Sequence, residues 1–122
     1  MIKTIDDIMQ RHEISKIILE DVIPNGSGHR SNPTVFRALM WLQAGINFLL
    51  YQKYKKTKVE YLTASQWRSA CGIQTGRGVK RESLKKADVE FVKKKYNIEC
   101  GDDEADAIGI GYGYLRLNGI SW

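Results

Sequence analysis

A short β-branched run, residues 14–19, and a second short strand-like run, residues 58–62, are separated by one long segment with helical apolar spacing, and this order most limits the fold. Helical segments also precede the first run and follow the second. The order helix–strand–helix–strand–helices is an α/β layout with a parallel pair of strands. Upstream, Ile2, Ile5, Ile8 and Met9 recur at helical spacing, so residues 2–12 are expected to form a helix. The helix between the strands has Asn32 as a candidate N-cap and Pro33 at its first position. Its apolar stripe is Val35, Leu39, Leu42, Ile46, Leu49 and Leu50.

After the second run, Ser65 is expected to cap a brief helix reaching Ala70. A basic, glycine-rich loop covers residues 72–78, a helix runs from about Lys80 to Tyr96, and Asn97 and Gly101 end it. The last helix is expected to start at Asp102 or Asp103, because carboxylates suit a helix N-terminus. Two strands are too few for this many helices, and at least one sheet edge stays open. The expectation is therefore one α/β domain over residues 1–122 whose sheet begins further upstream. There is no internal repeat.

Composition narrows the class. With 43% hydrophobic and 27% charged residues, the chain has the make-up of a globular domain, not of a disordered one. No apolar run approaches the roughly 18–20 residues that a bilayer requires. Asp6 and Asp7 stand where a signal peptide would be apolar, so a cytoplasmic location is expected. Cys71 and Cys100 lack a CxxC partner, and His12 and His29 do not complete a zinc set. Free thiols are expected.

The net charge is +5, a modest excess whose placement is more informative than its size. Lys53, Lys55, Lys56 and Lys58 form one basic cluster, and Arg77, Lys80, Arg81, Lys85 and Lys86 form a second. Lys93, Lys94 and Lys95 form a third, in a helix's last turn, where cations are favoured without any ligand. The acids gather instead at Glu20-Asp21 and over residues 102–106. Basic surface around concentrated carboxylates suits a metal-dependent nuclease, which grips phosphates outside and cations inside.

Magnesium takes oxygen ligands, and paired ions in phosphodiester cleavage need carboxylates converging from different segments. Glu20 lies at a strand end, and the i,i+3 spacing puts Asp103 and Asp106 on one helical face. Each cluster alone is also explained as a helix-start or strand-exit acid. Asp106 is the informative one. It sits among Ala105, Ala107 and Ile108, where an unpaired carboxylate is costly and calls for a cation.

Four segments then occur in one order: Ile17-Ile18-Leu19-Glu20-Asp21, the stretch from Thr63 to Ile73, Gly76-Arg77-Gly78-Val79-Lys80-Arg81-Glu82, and Asp103-Glu104-Ala105-Asp106-Ala107-Ile108. Together they resemble the RuvC family of Holliday junction resolvases, particularly its compact phage-type members, over residues 14–115. The resemblance implies an RNase H-like fold, a homodimer, and cleavage of four-way DNA junctions with two magnesium or manganese ions held by four acids. It implies that Glu20 is the second acid and that Asp103 and Asp106 are the last two. The first acid belongs on an N-terminal strand that this chain lacks; Asp6 and Asp7 read as helical and are poor substitutes. Activity of the chain as it stands is thereby in question.

Arg77, Lys80 and Arg81, on or beside the glycine-rich loop, with Lys85 further along, are the expected phosphate contacts. The loop 25–32 follows the strand-end acid and adds Arg30. Phe36, Met40, Trp41 and Phe48 make the long helix apolar over more than one buried face, which suggests a dimer seam. Trp67 reads as a core anchor with Arg68 exposed beside it, and Gly109, Gly111 and Gly113 as a close-packing stripe. The alternatives are a non-catalytic module that binds branched DNA, or another RNase H-like nuclease.

Overall fold

Residues 1–21 and 33–120 are described in a computed structural model. Among them the elements run α1 (Ile2–Arg11), β1 (Lys16–Glu20), α2 (Pro33–Lys53), β2 (Lys58–Leu62), α3 (Ala64–Ala70), α4 (Arg81–Tyr96) and α5 (Asp102–Leu117). The mixed α/β class, mostly helical with two parallel strands, agrees with the sequence expectation. The chain divides into two compact units, Met1–Tyr61 and Leu62–Trp122.

In the first unit β1 and β2 lie side by side, and the Lys58 N–H donates to the Ser15 carbonyl at 3.0 Å. The Thr57 hydroxyl donates to the Ile14 carbonyl at 2.7 Å and sets the start of the register. Met9, Ile46 and Leu50 form the buried centre, with Ile17, Leu19 and Val59 packed against it from the strands. Gly45 lets α1 approach α2 closely: a Cβ there would stand 3.1 Å from Ile2 Cδ1. The contact is pinned from outside by Asp6, whose carboxylate accepts from Lys53 Nζ at 2.8 Å and from the Tyr54 hydroxyl at 2.5 Å.

The second unit is organised around Trp67, which is fully buried together with Val92 and Ala105. α5 passes over its ring through Gly109 and Gly113. A Cβ on Gly109 would come within 2.5 Å of the Trp67 ring, and one on Gly113 within 3.0 Å of its backbone oxygen. Close packing thus accounts for two of the three glycines, while Gly111 faces open space. Phe91 and Tyr112 add an edge-to-face pair between α4 and α5, with ring centres 5.1 Å apart.

The cap of α3 is Thr63, not Ser65. The Thr63 hydroxyl accepts from the Gln66 N–H, and the Gln66 side chain accepts from the Thr63 N–H, a reciprocal box that Ser65, already inside the helix, cannot form. At the other end of this unit's second helix, Asn97 takes the left-handed conformation with φ 57° and closes α4. The expected cap Asn32 lies outside the described residues.

Candidate functional site

α5 starts at an exposed rim and dives into the second unit's core, so its acids meet different surroundings. Asp102, Asp103 and Glu104 are exposed in the first turn, Ala105 is buried, and Asp106 is partly buried. The i,i+3 spacing keeps Asp103 and Asp106 on one face. Lys85 Nζ, from α4, lies 2.8 Å from Asp106 Oδ2. The other carboxylate oxygen, Oδ1, is buried and accepts no hydrogen bond, with Arg68 Nη2 3.9 Å away. Lys85, read from the sequence as a phosphate contact, is thus engaged by one of the expected metal ligands.

Arg68 overturns the expectation that it stands exposed beside Trp67. Its side chain is 11% exposed because a carboxylate waits inside: Asp88, on α4, is fully buried. Arg68 Nε donates to both Asp88 oxygens at 3.1 and 3.2 Å, and Nη2 donates to Oδ2 at 2.8 Å. The guanidinium also lies over the Trp67 ring, 4.8 Å from its centre. Burial pushes the Asp88 carboxyl up from its ordinary value; the Arg68 hydrogen bonds oppose this, and the neighbouring Asp106 carboxylate pushes it further up.

Neither Arg68 nor Asp88 was among the sequence candidates, yet a signal existed. Leu84, Asp88 and Val92 fall four residues apart on α4, so an acid occupies a core position of an apolar stripe. A buried carboxylate demands a cation, and the chain supplies one from α3.

Cys71 closes the far side of α3. It is half-buried, its Sγ donates to the Gly109 carbonyl at 3.5 Å, and desolvation, with the Asp88 charge, pushes the thiol up to about 11. Cys71 and Cys100 are free, as expected.

The remaining candidates are distributed as follows. Glu20 ends β1 in the first unit, exposed, and its backbone carbonyl accepts from Gln43 Nε2 at 3.1 Å. Arg77 is exposed between Gly76 and Gly78, both with positive φ, which gives the loop the turns only glycine takes readily. Lys80 is the exposed N-cap residue of α4 and makes no side-chain capping bond, and Arg81 is its exposed first residue. Arg30 lies outside the described residues.

Among the described residues, no three His, Cys, Asp or Glu side chains gather closely enough to hold a metal ion. No described helix is long and apolar enough to cross a membrane. Comparison with protein-family models, curated proteins and solved structures returns no match.

Proposed function

We propose that this chain is a divalent-metal-dependent, structure-selective endonuclease for four-way DNA junctions, with an RNase H-like fold and a homodimeric assembly. The observation that carries the reading is Asp106, a partly buried carboxylate with one oxygen buried and without a hydrogen bond. Such an oxygen suits a cation, and Asp103 shares its helical face. Magnesium is commonly held by one or two carboxylates plus substrate phosphates, so Asp103 and Asp106 are a donor set it accepts. By the resemblance, Glu20 is a further ligand. Two bound ions would supply an activated water and stabilise the leaving oxygen.

The chain's own residues then do the binding. Arg77, Lys80 and Arg81 are exposed cations around the start of α4 and would hold backbone phosphates. Arg30, which lies outside the described residues, is a further phosphate contact expected from the sequence alone. Exposed Trp41, Phe48 and Tyr51 on α2 support a dimer seam.

One observation favours a second reading, a module that binds branched DNA without cutting it. Lys85 and Arg68 already balance Asp106, so the acid is tolerated without a metal.

Junction binding and cleavage distinguish these readings. The nuclease reading expects tighter binding to a four-way junction than to linear duplex, and cleavage only with magnesium or manganese. Glu20→Gln and Asp106→Asn should abolish cleavage while leaving binding in calcium intact. Selective binding with no cleavage would support the module, and equal affinity for both DNAs would refute both.

A further inference from the structure

Between residues 72–79 and α4 runs an open groove of about 410 Å³. That volume is within the range of roughly 300–1,000 Å³ common for ligand sites. Ile73 and Val79 from the loop, with Leu84 and Phe91 from the helix, give it an apolar lining, and Gln74 and Glu90 add polar groups. Its walls are held in place. The Ile73 N–H donates to the Arg68 carbonyl at 2.9 Å, the Val79 N–H donates to the Gly76 carbonyl at 3.3 Å, and Phe91 packs edge-to-face on Tyr112. Ser83, Leu84, Ala87 and Phe91 recur at helical spacing, so the groove follows one face of α4 from its first turn. Three exposed cations stand in the chain at that end: Arg77 two residues before Val79, and Lys80 and Arg81 directly after it.

We propose that this groove takes a single unpaired nucleobase turned out of the DNA helix, while the phosphates beside it rest on Arg77, Lys80 and Arg81. The inference deepens the proposed function and rests on the DNA-binding reading of those three cations. Cations at the mouth of an apolar groove select a polyanion that also has uncharged, flat faces to bury. A nucleic acid offers those faces only where a base has left the stack. Leu84 and Phe91 then cover the faces of the base, and the polar groups meet its edge. Glu90 is an acceptor when ionised, so it suits bases with an exocyclic amino group, cytosine among them, over thymine, which has none. Turning a base out costs least where pairing or stacking is already weakened. The groove thus gives the chain a way to prefer distorted DNA without reading a long sequence.

The test is fluorescence anisotropy with the full chain in calcium. The probes are a duplex with one extrahelical cytosine, the same duplex with an abasic residue at that position, a fully paired duplex and a four-way junction. The cytosine bulge should bind about tenfold tighter than the abasic one, in keeping with the stacking of one base, and a thymine bulge should fall between them. Ala87→Leu, which fills the groove, should bring the cytosine and abasic probes to within about twofold of each other and leave the paired duplex unchanged. Arg77→Ala should weaken all probes alike. Should Ala87→Leu lose helix content, Ser83→Leu, changed at the exposed margin of the groove, carries the same expectation. If the parent prefers the junction to linear duplex but binds cytosine and abasic bulges equally, the inference is overturned and the proposed function stands; the groove then belongs to another occupant, such as an apolar peptide. A cytosine preference that survives both filling variants overturns it as well. No binding to any probe, or equal affinity for all of them, refutes the proposed function and this inference together.

Discussion

Arg68 and Asp88 make the deepest ion pair among the described residues of the second unit, and their energetics are those of a charge that has left water. Losing one partner strands the other. Arg68→Met should destabilise the protein by about 3–5 kcal/mol, because a fully buried carboxylate is left without a cation. Asp88→Val combined with Arg68→Met should recover most of that loss, since a well-packed apolar pair often replaces a buried ion pair without penalty. Urea unfolding monitored by Trp fluorescence measures both. A single Arg68→Met variant as stable as the parent would mean that water reaches Asp88.

At the scale of elements, the docking of α5 on α3 depends on how near two backbones come. Gly113→Ala puts a methyl group within 3.0 Å of Trp67 backbone atoms, which cannot rotate away, and Gly109→Ala drives one into the indole ring. Each should lower stability by about 1–3 kcal/mol, the range of core overpacking. Gly111→Ala is the internal control. It meets nothing within 4 Å, so removing a helical glycine there should raise stability by up to about 1 kcal/mol. Thermal melts should place Gly109→Ala and Gly113→Ala below the parent and Gly111→Ala at or above it.

The tie between α1 and α2 has a pH signature. The hydrogen bonds from Lys53 and Tyr54 hold the Asp6 carboxyl below its ordinary value of 3.8. A depressed acid stabilises the folded state fully above its unfolded value, and that contribution is lost as pH falls below 3.8 through the folded value. The melting-temperature difference between the parent and Asp6→Asn should therefore be constant at neutral pH and shrink below pH 3.8. A difference that persists unchanged in strong acid would mean that packing, not the charge, is responsible.

At the scale of the whole molecule, α2 carries more apolar surface than the first unit buries. Trp41 is 72% exposed, Phe48 63% and Tyr51 76%, while Ile46, Leu49 and Leu50 on the opposite face are buried. Under the proposed homodimer, Trp41→Ser with Phe48→Ser should convert a dimer to a monomer in sedimentation velocity without lowering the monomer's helix content. A dimer that survives both changes would move the seam elsewhere.

Much of this was legible in the chain. The two strands, the long helix between them and the three later helices follow from apolar spacing and from breakers such as Asn97 and Gly101, which act locally. The small-residue stripe of α5 was also readable, because only glycine permits such an approach. Local chemistry misled where two residues competed for one task, as with Thr63 and Ser65, since the choice depends on which hydroxyl stands outside the first turn. The sequence by itself determined which elements form, and it marked Asp106 as an acid in apolar company, but it did not mark Asp88, the acid that is fully buried. Only tertiary structure decided that Lys85 and Arg68 stand beside Asp106 and that Asp88 claims the guanidinium. Such pairings join residues 20 or more apart on separate helices, and Coulomb attraction acts on distances that only packing sets.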